Sequence, residues 1–256
     1  DEKNGLSIFL DPSGYTGIAP REKKGSKNAM NRDESGSNGL VLDYDGQLIL
    51  CMHGDRRVAK LDNWKKKSFS TIVGKYQGKF FNSPNDLVFA KNGDLYFTDP
   101  PYGLKKGDQD ALKELDFNGV FKLTPSGELS LIIDDLTRPN GIAVSNDQKT
   151  LYVTVSNPKN RRIMAYDISP KGVENARVFF NDDALPKESR GNFDGLKVHP
   201  SGTIFSTGPG GVLVITPEGK HLGTIKTDER TANCTFDDKY EYLYMTTHMY
   251  LTRIKL

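Results

Sequence analysis

The chain has 256 residues, with 35 Lys and Arg against 33 Asp and Glu and a net charge of +2. The two signs are interspersed, which excludes the one-sided positive field of a nucleic-acid or anionic-membrane binder. No run approaches the roughly 20 apolar residues that cross a bilayer, so a soluble protein is expected, cytoplasmic or periplasmic, monomeric or weakly homodimeric.

In chain order, Gly5 to Leu10 reads as a lone strand. A polar connection rich in Gly and Lys, longer than a turn requires, follows from Asp11 to Ser37. Groups of short strands then recur. The first uses Leu40 to Asp43, Gln47 to Met52, Val58 to Leu61 and Phe69 to Val73, with Lys65-Lys66-Lys67 in a solvated turn. The second uses Asp86 to Ala90, Asp94 to Thr98, Gly119 to Leu123 and Leu129 to Ile133, interrupted by a long excursion from Pro100 to Asn118. The third uses Ile142 to Ser145, Leu151 to Val155, Ile163 to Asp167 and Arg177 to Phe180. The fourth uses Leu196 to His199, Thr203 to Ser206, Val212 to Ile215 and His221 to Ile225. The last has three strands, Cys234 to Phe236, Tyr242 to Thr246 and Leu251 to Leu256. Turn residues such as Lys91-Asn92-Gly93 and Pro125-Ser126-Gly127 separate them, and the apolar positions alternate or run continuously, so each group is an antiparallel sheet.

A polar head opens each group: Asn38, Asn85, Asn140, Asp194 and Asn233, in steps of 47, 55, 54 and 39 residues. About 40 to 50 residues per four short strands is the size of a propeller blade. The expected fold is all-β, a six-bladed β-propeller of four-stranded antiparallel blades, forming a single domain over 1–256. Ring closure leaves most of the first blade unsupplied, so about 40 residues upstream of Asp1 are expected to complete it. The start at Asp1, with neither Met nor a signal pattern, reads as processed or cut. Cys51 and Cys234 fall in strands of non-neighbouring blades and are expected to be buried thiols.

In a propeller the innermost strands line a channel, so the five heads are expected to converge on one mouth. The ends of the second strands bring His53, Asp99 to Tyr102, Ser156 with Asn157, Gly208 to Gly211 and His248 to the same rim. Turn chemistry is the alternative for any one head, since Asn and Asp accept left-handed backbone and Gly prefers it. Asn85-Asp86 and Asn233-Cys234 lack that Gly. Side-chain oxygens facing one another suit a hard cation such as calcium or magnesium, whereas no Cys and His spacing suits structural zinc. Asp194 alone under-neutralises a divalent ion, so a second carboxylate is expected in the unsupplied blade.

Eight motifs in order carry a resemblance: Ser35-Gly36-Ser37-Asn38-Gly39, Cys51-Met52-His53-Gly54-Asp55-Arg56-Arg57, Asn82-Ser83-Pro84-Asn85-Asp86, Thr98-Asp99-Pro100-Pro101-Tyr102-Gly103, Arg138-Pro139-Asn140-Gly141, Asp194-Gly195-Leu196-Lys197, Gly208-Pro209-Gly210-Gly211-Val212 and Ala232-Asn233-Cys234. Over nearly the whole chain it resembles bacterial gluconolactonases, of the regucalcin and gluconolactonase superfamily of six-bladed propellers. The paraoxonases and diisopropylfluorophosphatase are structurally similar to that superfamily. The resemblance implies one divalent cation, Ca2+ first with Mg2+, Mn2+ or Zn2+ as alternatives, held by Asn140 and Asp194, with Asn85 binding or closely approaching it. The family's Glu ligand has no counterpart, since Glu2, Glu22 and Glu34 lie in the wrong context, and Ser83 stands where regucalcin carries an Arg.

The implied reaction is hydrolysis of a small sugar lactone to its hydroxy acid, the ion polarising the carbonyl and Asp194 helping to activate water. His53 and His248 are candidate proton carriers or plain rim residues. Tyr102 either meets a sugar ring or packs under its own loop. Asn38, Asn85, Tyr102, Asn233 and His248 are expected to contact substrate. The competing readings are a calcium-dependent esterase or phosphotriesterase on the same site, and a ligand-binding propeller without turnover.

Overall fold

The computed structural model describes residues 5, 7–21, 27, 36–186 and 189–256. They fall into two compact units, Asp1–Asn85 with Pro101–Asp116, and Asp86–Pro100 with Phe117–Leu256. The first unit holds one four-stranded antiparallel blade in chain order, β1 (Ser37–Leu42), β2 (Leu48–Met52), β3 (Arg57–Asn63) and β4 (Ser68–Val73), and a small ribbon of β5 (Lys75–Tyr76) and β6 (Lys79–Phe80). Sequence sets the position of each strand. Leu48-Ile49-Leu50-Cys51-Met52 is apolar throughout and is buried from its second residue on, whereas Ser68-Phe69-Ser70-Thr71-Ile72-Val73 is partly or fully exposed and forms the outer edge. Leu50, Met52, Ala59 and Leu61 make the core. Buried Asp55 ties residues 16–18 to the blade, accepting from the Thr16 amide at 2.9 Å, its hydroxyl at 2.5 Å and the Ile18 amide at 3.2 Å, and pairing with Arg57 at 3.1 Å.

The second unit holds four blades. They are β7 (Leu87–Phe89), β8 (Leu95–Asp99), β9 (Gly119–Leu123) and β10 (Leu129–Ile133); β11 (Pro139–Val144), β12 (Thr150–Val155), β13 (Arg162–Ser169) and β14 (Gly172–Asn181); β15 (Leu196–Val198), β16 (Ile204–Gly208), β17 (Gly211–Ile215) and β18 (His221–Lys226); and the three-stranded β19 (Thr231–Phe236), β20 (Tyr242–Thr247) and β21 (Tyr250–Lys255). Each blade is antiparallel with neighbours in sequence order, so within a blade every strand after the first pairs with the one before it. The apolar faces meet between blades. Val120, Ile142, Val153 and Met164 form one such layer, Ile163, Phe193, Leu196 and Leu213 the next, and Phe205, Val212, Leu243 and Met245 the third.

The all-β class and the propeller-type blade are as expected, and the blade count is not. The described residues form five blades, four of four strands and one of three, rather than six. The lone strand expected over Gly5 to Leu10 does not form among its described residues, and Gly5 takes a left-handed φ of 72° that a strand does not accommodate. Cys51 and Cys234 are free and buried, as expected. No helix among the described residues is long and apolar enough to cross a membrane. The Pro100 to Asn118 excursion folds through a single 3₁₀ turn at Gly107–Gln109.

The glycines behind two polar heads serve packing, not turns. Gly141 lies inside β11, and neither it nor Gly195 has a positive φ. A Cβ on Gly141 would stand 2.2 Å from the Asp194 carbonyl oxygen, and one on Gly195 would stand 2.1 Å from Asn233 Oδ1. Only a residue without Cβ lets adjacent inner strands approach this closely. We expect Gly141→Ala to cost about 3 kcal/mol, the upper end for overpacking, read as a lower denaturation midpoint. Gly223→Ala, with nothing within 4 Å of its added methyl, should leave that midpoint within experimental error.

Burial also pushes the Cys234 thiol up to about 12, opposed by the Lys197 charge and reinforced by Asp86. Since only the thiolate alkylates, its fraction at pH 8 is about 10⁻⁴ and becomes appreciable only as pH nears that raised value. In a Cys51→Ala background, iodoacetamide labelling of the native protein at pH 8 should therefore be at least 10³-fold slower than labelling of the unfolded chain.

Candidate functional site

At three of the five polar heads, Asn38, Asn140 and Asn233, the ladder of the innermost strand is broken by one extra residue, whereas Asn85 and Asp194 stand ahead of strands in regular register. In β11, Pro139 pairs with Val155 but Ile142 with Val153, so Asn140 and Gly141 occupy a bulge. In β19 the register slips between Thr231 and Asn233, and in β1 between Ser37 and Leu40, which places Asn38 in the same situation. A bulge interrupts the two-residue alternation and re-aims a side chain. It also leaves backbone groups without ladder partners, and in a buried strand those must be satisfied some other way.

In the second unit, threonine hydroxyls do this. Thr98 on β8 accepts from the Asp86 amide at 3.2 Å and donates to the Asn140 carbonyl at 2.6 Å. Thr154 on β12 accepts from the Gly141 amide at 2.7 Å and donates to the Asp194 carbonyl at 2.7 Å. Thr207 on β16 shares its proton between the Gly195 and Ala232 carbonyls at 3.0 and 3.2 Å, and Thr246 on β20 accepts from the Asn233 amide at 3.0 Å. Each hydroxyl thus serves its own blade's head or the residue after it, and the first three also reach the head of the next blade or the residue before it. A sequence signal for this existed: Thr98, Thr154, Thr207 and Thr246 are 56, 53 and 39 residues apart, nearly the spacing of the heads themselves.

Asn140 is 5% exposed, and its amide nitrogen donates to Ser156 Oγ at 2.9 Å, while that hydroxyl donates to the Phe193 carbonyl. With the nitrogen committed, the carboxamide oxygen is the atom turned to the other side. Asp194 is half-buried on the loop ahead of β15, with its amide on the Thr207 carbonyl at 3.3 Å. Asn233 is half-buried, its Oδ1 accepting from the Cys234 amide at 2.9 Å. The neighbouring Asp86, which the sequence did not single out for a role, is 3% exposed; burial pushes its carboxyl up, while the Lys197 charge and the donors of Leu87, Ile142 and Asn233 pull it back. His248 stands apart. It sits on the exposed turn between β20 and β21 at a left-handed φ of 45°, held by its amide on the Arg230 carbonyl at 2.9 Å.

In the first unit, Asn38 and His53 meet: Asn38 Nδ2 lies 3.2 Å from His53 Nε2. Because a carboxamide nitrogen only donates, Nε2 accepts and the ring proton sits on Nδ1. Asn38 is exposed and His53 buried. Asn85 is buried, its carbonyl accepting from the Gly39 amide at 2.7 Å. Tyr102 is half-buried in a turn fixed by the Gly103 amide on Ser83 Oγ at 2.8 Å, and a Cβ on Gly103 would stand 3.2 Å from His53 Cβ, so this turn packs on the histidine.

Among the described residues no three His, Cys, Asp or Glu side chains gather as they would around a metal. A cation at the predicted ligands would rest on carboxamide oxygens and one carboxylate. Asn140 and Asp194 supply hard oxygen donors of that kind, and the Ser156 contact keeps the Asn140 nitrogen away. The donor set therefore fits a hard cation. Glu2, Glu22 and Glu34 lie outside the described residues.

Three comparisons place the chain among known proteins. Residues 1–249 match the family model described as SMP-30/Gluconolactonase/LRE-like region. A gluconolactonase from Zymomonas mobilis is 37% identical over 256 residues, covering 98% of this chain and 69% of that protein. The structure of a gluconolactonase from Xanthomonas campestris superposes with a TM-score of 0.75 at 35% identity, covering 84% of this chain and 70% of that one. A luciferin-regenerating enzyme shares the fold alone, at 19% identity and a TM-score of 0.67, over 84% of this chain and 71% of that one.

The threonine bridges give a stability test. Thr154→Val keeps the shape of the side chain but strands the Gly141 amide and the Asp194 carbonyl, at about 1–3 kcal/mol for each buried group left unsatisfied. We expect a loss of about 2–4 kcal/mol by chemical denaturation, with the strand content seen by circular dichroism retained.

Proposed function

The chain belongs to the SMP-30/gluconolactonase/LRE-like family, and from that premise we propose that it hydrolyses a sugar lactone of the gluconolactone type to the hydroxy acid. Its activity class is that of a lactone-hydrolysing hydrolase. The 37% identity to the Zymomonas gluconolactonase over 98% of this chain carries the reading.

A divalent cation, calcium first, would be held by the side-chain oxygens of Asn140 and Asp194, with Asn85 assigned the same role by its motif. When bound, it supplies positive charge that polarises a lactone carbonyl and acidifies water. The chain's own groups do the rest. The Asp194 carboxylate takes a proton from the water that adds to the carbonyl carbon. Ser156, by occupying the Asn140 nitrogen, keeps the carboxamide oxygen as the presented atom. As the ring opens, the departing ring oxygen needs a proton, and the Asp194 carboxyl returns the one it took from the water; His53, whose Nε2 faces Asn38 Nδ2, is the second candidate proton carrier. Asn38, Tyr102 and Asn233 would orient the sugar hydroxyls, and His248 would serve only at the rim, given its exposed turn.

Loss of a ligand removes charge that acts mainly in the transition state, so Asn140→Ala and Asp194→Ala should each lower kcat/KM for glucono-δ-lactone by about 10²–10⁴-fold. Chelation should abolish hydrolysis and added calcium restore it. Full activity in chelator, or in either variant, rules the mechanism out.

A further inference from the structure

We propose that Thr154 protects Asn140 from deamidation: by engaging the Gly141 amide, its hydroxyl keeps that nitrogen from attacking the neighbouring carboxamide. The inference rests on hydrogen bonds inside the second unit and needs neither a cation nor a substrate.

An Asn-Gly pair is the dipeptide most open to spontaneous deamidation, because glycine sets no side chain beside the attacking nitrogen and rotates freely. In that reaction the Gly141 nitrogen loses its proton and bonds to Asn140 Cγ, the Cγ–Nδ2 bond breaks, and ammonia leaves carrying the proton. Water then opens the cyclic imide at either carbonyl, giving aspartate or isoaspartate, the latter with one more carbon in the main chain. Either product replaces a neutral oxygen donor by a charged one.

Three heads carry this hazard: Asn38-Gly39, Asn140-Gly141 and, by the same ring closure with loss of water, Asp194-Gly195. In each the glycine amide is already committed. In the first unit Gly39 donates to the Asn85 carbonyl at 2.7 Å; in the second, Gly195 donates to the Ala232 carbonyl at 2.9 Å and Gly141 to Thr154 Oγ1 at 2.7 Å. Gly141 is the one of the three held by a side chain, so a substitution can release it. The leaving nitrogen is held as well, since Asn140 Nδ2 donates to Ser156 Oγ at 2.9 Å. Gly141 also lacks the freedom that makes such pairs labile, for it lies in the β11 bulge where even a Cβ would stand 2.2 Å from the Asp194 carbonyl oxygen. Imide formation needs the amide proton removed and the carboxamide carbon swung onto the nitrogen. The Thr154 contact opposes the first and the Ser156 contact the second.

The test holds folded protein at mildly alkaline pH and follows the Asn140 peptide by mass spectrometry, with isoaspartate counted by enzymatic methylation. Wild type is compared with Thr154→Val, Thr154→Ser and Thr207→Val. Thr154→Ser keeps the hydroxyl. Thr207→Val removes the hydroxyl that donates to the Gly195 and Ala232 carbonyls, and so reports the effect of a lost bridge with Gly141 still held. We expect Asn140 to deamidate about tenfold faster, or more, in Thr154→Val than in wild type, the local opening that one lost hydrogen bond permits. Thr154→Ser and Thr207→Val should stay close to wild type. A Thr154→Val rate equal to wild type, or a Thr207→Val rate equal to that of Thr154→Val, overturns the proposal. Should Thr154→Val not fold, the wild type decides: a Gly141 amide protected from hydrogen exchange, together with slower Asn140 deamidation in the folded than in the unfolded chain, upholds it, and failure of either refutes it.

Discussion

The threonine hydroxyl between successive inner strands is the contact on which the four-blade unit depends. At each bulge the ladder fails in a buried place, so an amide and a carbonyl there must find partners or cost about 1–3 kcal/mol apiece. A single Oγ can accept from one and donate to the other, and Thr98 and Thr154 do both. Threonine is suited to the position because its β-branch favours the strand and stiffens the side chain that carries the hydroxyl. The bridge in turn requires close backbones. Gly141 and Gly195 are consequences of that distance, since any Cβ would overlap the Asp194 carbonyl or the Asn233 carboxamide.

The bulge that creates the problem also places the chemistry. A regular strand would send Asn140 to one face and its neighbours to the other by strict alternation; the extra residue turns the carboxamide out of that pattern while Ser156 fixes its rotation. The first unit uses the same break at Asn38, whose side chain reaches His53. Polar groups thus stand at the ends of apolar strands without leaving the strands unsatisfied, which is the condition for a preorganised site on a rigid support.

Most of the strand order was legible because strands two to four of each blade carry strong apolar runs between Gly-containing turns. β9 and β10 match their expected limits residue for residue, and β17 differs by one. Three things were not legible. The β5 and β6 ribbon has two residues per strand, too few to show a period. The sixth blade was inferred from a closure rule and one strand, and that strand, expected to begin at the left-handed Gly5, does not form among its described residues. The Asn-Gly and Asp-Gly pairs admitted a turn reading because the same glycine answers two different needs; only coordinates reveal that close approach, and not φ, is the need here.

The choice of residue at the heads follows from the same closeness. Gly141 lies against the Asp194 carbonyl, and Gly195 lies against the Asn233 carboxamide and donates its amide to the Ala232 carbonyl, so consecutive heads in the second unit are close neighbours. Carboxylates at every such place would repel one another in a half-buried setting, and some would take up protons rather than ionise. Asp86 illustrates the tendency, its carboxyl pushed up by burial even with the Lys197 charge nearby. Carboxamides avoid this, offering an oxygen donor with no charge to desolvate. A cation held by Asn140 and one carboxylate keeps more of its positive charge than one held by several anions, and that residual charge is what a lactone carbonyl would feel. The sparse acidity of the heads is therefore consistent with an electrophilic role, whereas a site evolved to retain calcium for structure alone would gain from more carboxylates.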